Sequence, residues 1–229
     1  MIRMHGRWRE SLRTKVGDLS VYRFRILLFF LILTLIIIPL AVVYPEFNPL
    51  FLIFFSMVII SGVFAAQRKR HFLILILLLA IPAVAARWIS YLFPTAVSEI
   101  TVHLFALLFF SFFAVYLLEI VLRAKTITGD TIAGAISVYL IMGLTWALAY
   151  QFMDEIQPGS FAYDTGTGPG GVLSLMDYVY FSFVTITTLG YGDIYPLSPV
   201  AESAASFEAV TGTIYIAVLI ARLVGSMEW

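Results

Sequence analysis

The stretch TITTLGYGDIYP, residues 185–196, sets two glycines, a tyrosine and an aspartate between segments that are otherwise mostly hydrocarbon. Residues 175–186, which lead into it, are apolar and rich in aromatics but too few to cross a bilayer, whereas residues 200–224 behind it form a full-length apolar run. A helix needs about 20 residues to span the hydrocarbon. Non-helical backbone at membrane depth is tolerated only where protein buries it or where it lines a watery path, because an unpaired carbonyl in lipid costs several kcal/mol. The stretch therefore predicts a re-entrant hairpin: a short descending helix, an extended glycine-containing strand, and an exit through IYPLSP into the last span.

The rest of the chain fits a membrane setting. Of its 229 residues, 61% are hydrophobic and 12% charged, against about a quarter charged in soluble domains. Five more apolar runs, residues 26–44, 50–66, 72–93, 100–122 and 132–152, precede the hairpin. The predicted fold class is an all-α membrane protein with six transmembrane helices, a re-entrant helix and an extended loop. The joins YPEFNP, QRKRH and PTAVSE are short, which makes the first four spans antiparallel neighbours in one bundle. There is no cysteine, so neither a disulfide nor a thiolate metal site is available.

Charge sets the topology. Arg3, Arg7, Arg9, Arg13, Lys15, Arg23 and Arg25 precede the first span; Arg68, Lys69 and Arg70 join the second to the third; Arg123 and Lys125 join the fourth to the fifth; Arg222 closes the sixth. Basic residues gather on cytoplasmic loops, which predicts a multi-pass protein with both termini cytoplasmic, in the plasma membrane. Residues 1–25 read as a cytoplasmic basic segment, and the run that follows is too long for a signal peptide, so it reads as a retained span.

Local signals mark the joins. Asp130 in TITGDT is the expected N-cap of the fifth span. The outer loop 153–171 contains PGSFAYDTGTGPGG and is expected to be mobile; its glycines lack the following Lys-Ser/Thr of a phosphate cradle. Ser174 with Asp177 three residues on reads as a capping box for the short helix.

At TLGYG, residues 188–192, the chain resembles potassium channels, whose filter loops carry a Thr-Val-Gly-Tyr-Gly pattern. The longer string TITTLGYGD, residues 185–193, sits between a capped short helix and a final span, as that family requires. The resemblance divides the chain into a four-helix bundle, 26–123, and a pore module, 131–229. It implies that carbonyls of Thr188, Leu189, Gly190 and Tyr191 replace the water shell of K+, with the Thr188 hydroxyl as the innermost ring. Gly190 and Gly192 supply the φ values that let successive carbonyls face one way. The resemblance also implies that Thr185, Thr187, Asp193 and Glu208 support the filter. One chain forms one wall of such a ring, so the resemblance implies a homotetramer whose partners are membrane lipids and K+ ions, with no cofactor and no nucleic acid. Leu189 stands where the family most often has valine, and Tyr180, Phe181 and Phe183 stand in for an aromatic cuff.

In the last span Gly212 falls where the family commonly carries a hinge glycine, well below the filter; bending or close packing both fit. Helical spacing puts Thr213, Ile216, Ile220 and Val224 on one face, which reads as cavity and inner gate. Glu208, one turn earlier, reads as a partner of the short helix, as a cation-attracting charge, or as a satisfied neutral acid. Glu119 and Arg123 read as a helical pair, His103 as a packed residue, and Arg87 as a side chain that snorkels outward or pairs with Glu99. The fourth span has no row of arginines, which predicts a channel without steep voltage gating. An enzyme is not expected: Gly-x-Ser-x-Gly is missing and no histidine is placed to serve Ser182. Within transport, the alternatives are a weakly selective cation channel and a non-conducting channel subunit.

Overall fold

The computed structural model describes residues 22–65, 70–124, 126–164, 169–170 and 173–225. Its helices are α1 Arg23–Val43, α2 Asn48–Ala65, α3 Arg70–Leu92, α4 Glu99–Leu122, α5 Gly129–Ile156, α6 Leu175–Ile186 and α7 Pro199–Gly225. All but α6 are long and apolar enough to cross a membrane, by length and composition. The basic residues Arg3, Arg7, Arg9, Arg13, Lys15, Arg68, Lys69 and Lys125 lie outside the described residues.

Helix ends follow local chemistry. Ser98 caps α4 by accepting from the Thr101 amide at 3.3 Å. The expected Asp130 cap of α5 is corrected. The cap is Thr128, two residues earlier, whose backbone is extended and which exchanges hydrogen bonds with Thr131 at 3.2 and 3.4 Å. Asp130 instead lies in the first turn of α5 and accepts from the Phe24 and Arg25 amides at 3.2 and 3.1 Å. It serves the start of α1, more than a hundred residues away in sequence.

In a bilayer, helix association rests on van der Waals packing, because lipid tails are as apolar as leucine. Aromatic rings supply much of that contact. Phe109 and Phe113 on α4 stack with centroids 5.6 Å apart, and Phe110 meets Phe55 of α2 at 5.9 Å. Gly62 makes room for this layer, since a Cβ there would sit 2.7 Å from the Phe113 ring. Phe29, Ile36, Leu78, Ile81 and Val115 are exposed, as lipid-facing side chains should be.

The all-α expectation omits one feature. Residues 161–164, 169–170 and 194–196 form a three-stranded antiparallel sheet, β1 Phe161–Asp164, β2 Pro169–Gly170 and β3 Ile194–Pro196, in the order β2-β1-β3. The outer loop expected to be mobile is thus anchored in its described part. Phe161 and Ala162 are buried, and the Phe161 ring packs edge-on against Tyr150, Tyr178 and Phe181.

Polar residues near the ends of the helices pair across them. Arg87 lies 3.7 Å from Glu99, which also accepts from the Ser90 hydroxyl at 2.7 Å. His103, expected as a packed residue, is buried, with Nδ1 2.6 Å from Glu155 Oε1 on α5. At the opposite end of α4, Glu119 and Arg123 pair at 3.2 Å.

Candidate pore and filter loop

Helix α6 starts at Ser174, whose amide and hydroxyl both donate to Asp177 Oδ2 at 2.7 Å. It runs only to Ile186 because the backbone then leaves the helical region. Thr188, Gly190 and Gly192 have φ of 58°, 60° and 77°. Left-handed residues therefore alternate with Leu189 and Tyr191. An ordinary strand points successive carbonyls to opposite sides; alternating the hand of φ turns them toward one side. Glycine takes such values freely, but Thr188 does so against its Cβ, a local strain of about 1–2 kcal/mol. Only the two glycines were legible as left-handed positions.

The amides of this loop are turned back to α6. Thr188 N donates to Thr185 O at 2.9 Å, and the Leu189 and Gly190 amides donate to Val184 O at 2.9 and 3.3 Å. The donors of residues 188–190 are thereby occupied. Among the described residues, no hydrogen bond ends on the carbonyl oxygens of Thr188, Leu189, Gly190 or Tyr191. Residues 187–193 are all exposed on the single chain.

Side chains fasten the loop from behind. The Tyr180 hydroxyl donates to Asp193 Oδ2 at 2.7 Å, and its ring stacks on Tyr191 with centroids 6.4 Å apart. Thr187 bonds within α6, to Phe183 O at 2.6 Å. Phe183 seats on Gly143 of α5, where a Cβ would lie 2.8 Å from the ring.

Glu208 is 0% exposed and joins three helices. Tyr150 of α5 donates to its Oε2 and Ser182 of α6 to its Oε1, each at 2.5 Å, while Ser182 Oγ also lies 2.7 Å from Gly143 O. Tyr150, Tyr139 and Tyr215 were not read as site residues, because nothing local in the sequence distinguishes a tyrosine aimed at another helix. Tyr139 donates to Ile186 O at 3.2 Å, and Tyr215 to Ala135 O at 2.6 Å.

The position expected for Gly212, well below the filter, is corrected. A Cβ at Gly212 would stand 2.5 Å from Ile186 O and 2.6 Å from Ile186 Cγ1, directly under the base of the loop. Glu208, Gly212 and Tyr215 form the buried stripe of α7. Thr213, Ile216, Ile220 and Val224 all lie on its exposed surface, as do Phe207, Val210 and Ile214.

Residues 136–228, which contain most of α5, all of α6, the loop and α7, match a family model described as ion channel. The site lies wholly within that ion-channel match. Over 84 residues the chain is 31% identical to the inward rectifier potassium channel Kirbac3.1 of Paramagnetospirillum magnetotacticum, covering 35% of this chain and 24% of that one. It thus spans about a quarter of that relative's length. No solved structure matches. With six helices of spanning length, the chain is a helical integral membrane protein.

Proposed function

We propose that this chain is one subunit of a homotetrameric, potassium-selective channel in the plasma membrane, with both termini cytoplasmic. The observation that carries the reading is the alternating left-handed backbone at Thr188, Gly190 and Gly192, beside carbonyls at 188–191 that take no hydrogen bond among the described residues. The similarity to a potassium channel over part of the chain supports it. An open row of carbonyls is unsupportable in lipid. Four copies around an axis turn it into stacked rings of four oxygens, and the rings above and below an ion replace the hydration shell of K+. Residues 131–229 act as the pore module, with the Thr188 hydroxyl as the innermost ring. The exposed Thr213, Ile216, Ile220 and Val224 line the cavity and an apolar gate. Purified chain in liposomes should carry K+-driven flux well above Na+-driven flux. Equal fluxes would mean a weakly selective cation channel, and no flux a non-conducting subunit.

Gly212 belongs to this machinery by contact. Gly212→Ala should push α7 away from Ile186, an overpacking cost of about 1–3 kcal/mol, and should lower both the thermal midpoint and the K+/Na+ flux ratio. If only open probability changes while the midpoint and ratio hold, the glycine acts as a hinge instead.

The bundle, residues 26–123, has little electrical leverage. Moving one charge through the field is worth about 2.3 kcal/mol per 100 mV. In α4 the basic side chain Arg123 stands at the helix end beside Glu119, and in α3 Arg87 is held by Glu99. Activation curves in planar bilayers should be shallow; a slope equivalent to several elementary charges per channel would refute this.

A further inference from the structure

Asp154 does not belong to the filter, yet both ends of the filter are tied to it. It stands near the outer end of α5, and its Oδ2 accepts from the Tyr178 hydroxyl of α6 at 2.7 Å. Its Oδ1 accepts from the Ser160 and Phe161 amides at 2.7 and 3.3 Å. Ser160 in turn accepts, at its carbonyl, from the Leu197 and Ser198 amides at 2.8 and 3.4 Å. Phe161–Asp164 pairs with Ile194–Pro196, and Asp164 N donates to Asp193 O at 2.8 Å.

One carboxylate therefore references the helix that enters the loop and the strand that leaves it. Tyr178, Ser160 and Phe161 are buried and Asp154 is half-buried, so these bonds are partly shielded from water. Hydrogen bonds to a charged acceptor are about twice as strong as neutral ones. The Tyr180–Asp193 bond fastens the end of the loop to α6, and the Asp193 carbonyl meets the far end of β1 at Asp164. Asp154 ties α6 to the start of β1, at Ser160 and Phe161.

We propose that Asp154 is a positioning residue for ion selection, holding α6 and the strand after the filter at the separation that sets the width of the carbonyl ring. The proposal rests on the channel reading above. A residue that merely ordered the outer loop would leave ion preference alone, so the permeability ratio separates the two roles.

The test uses the full-length chain in planar bilayers, with hydrogen exchange on the same preparations. Asp154→Ala should lower the K+/Na+ permeability ratio by about tenfold, the factor that one strong hydrogen bond represents. Tyr178→Phe, which removes only the Oδ2 bond and keeps the ring, should lower it less. Asp154→Asn, which keeps an acceptor for the two amides, should fall between Asp154→Ala and the parent. Exchange should quicken at residues 160–164 and 194–198 in Asp154→Ala and stay unchanged in α1–α4. A parent-like ratio in both Asp154→Ala and Tyr178→Phe would overturn the proposal, even with faster exchange. If Asp154→Ala fails to assemble, Tyr178→Phe decides alone. A parent that does not prefer K+ removes the channel reading itself; a selective parent with equally selective variants removes only the role of Asp154.

Discussion

Gly190→Asp is expected to abolish the preference for K+ over Na+. The backbone at this position has φ of 60°, and the residue lies between Leu189 and Tyr191, whose carbonyls belong to the proposed rings. A side chain costs about 1–2 kcal/mol in the left-handed region, aspartate being among the less penalised. Conformation alone would therefore not destroy the site. Within one chain nothing stands within 4 Å of a Cβ built on Gly190, so the new carboxylate meets no obstacle of its own. What it meets is its own copies. Four carboxylates around one narrow axis repel each other, displace the carbonyl oxygens and recruit cations by charge, whatever their size. Bi-ionic reversal potentials should collapse toward zero, or current should vanish. A mutant with the parent's K+/Na+ ratio would remove residues 188–192 from the permeation path.

The second large effect is expected at Glu208. Glu208→Ala leaves the buried Tyr150 hydroxyl without its acceptor and opens a void among α5, α6 and α7. An unpaired buried polar group costs about 1–3 kcal/mol, and the void adds to it. For a chain of this size that is a fall of roughly 5–10 °C in the thermal midpoint. Ser182 keeps Gly143 O as a partner, so the loss should be concentrated at Tyr150. Glu208→Gln preserves shape and one acceptor and should lose far less. Paired apolar replacement, Glu208→Leu with Tyr150→Phe, should recover part of the stability, because removing both partners is cheaper than stranding one. Equal midpoints for Glu208→Ala and the parent would show that the network does not hold the helices together.

Much of this architecture was legible from local signals. Span lengths, the short apolar helix and the Ser174–Asp177 cap are written within a few consecutive residues, and α6 occupies the expected 175–186. Contacts between distant segments were not legible. Asp130 looks like an N-cap, yet it serves α1, because Thr128 already holds the extended backbone that a cap needs. The glycine-rich outer loop looks mobile, yet Phe161 inserts between the rings of Tyr150, Tyr178 and Phe181 and its strand pairs with residues 194–196. Gly212 looks like a hinge by spacing, and only the packing of α7 on α6 brings it against Ile186 O. Thr188 at positive φ was also hidden, since a β-branched residue gives no hint of that conformation.

Selection of K+ by open backbone carbonyls at 188–191 is tested most directly by the reversal potential of the purified, reconstituted chain with K+ on one side of a planar bilayer and Na+ on the other. The expected potential lies close to the K+ limit and shifts by tens of millivolts as K+ is diluted. A reversal potential near zero at equal concentrations, with robust current, would contradict it.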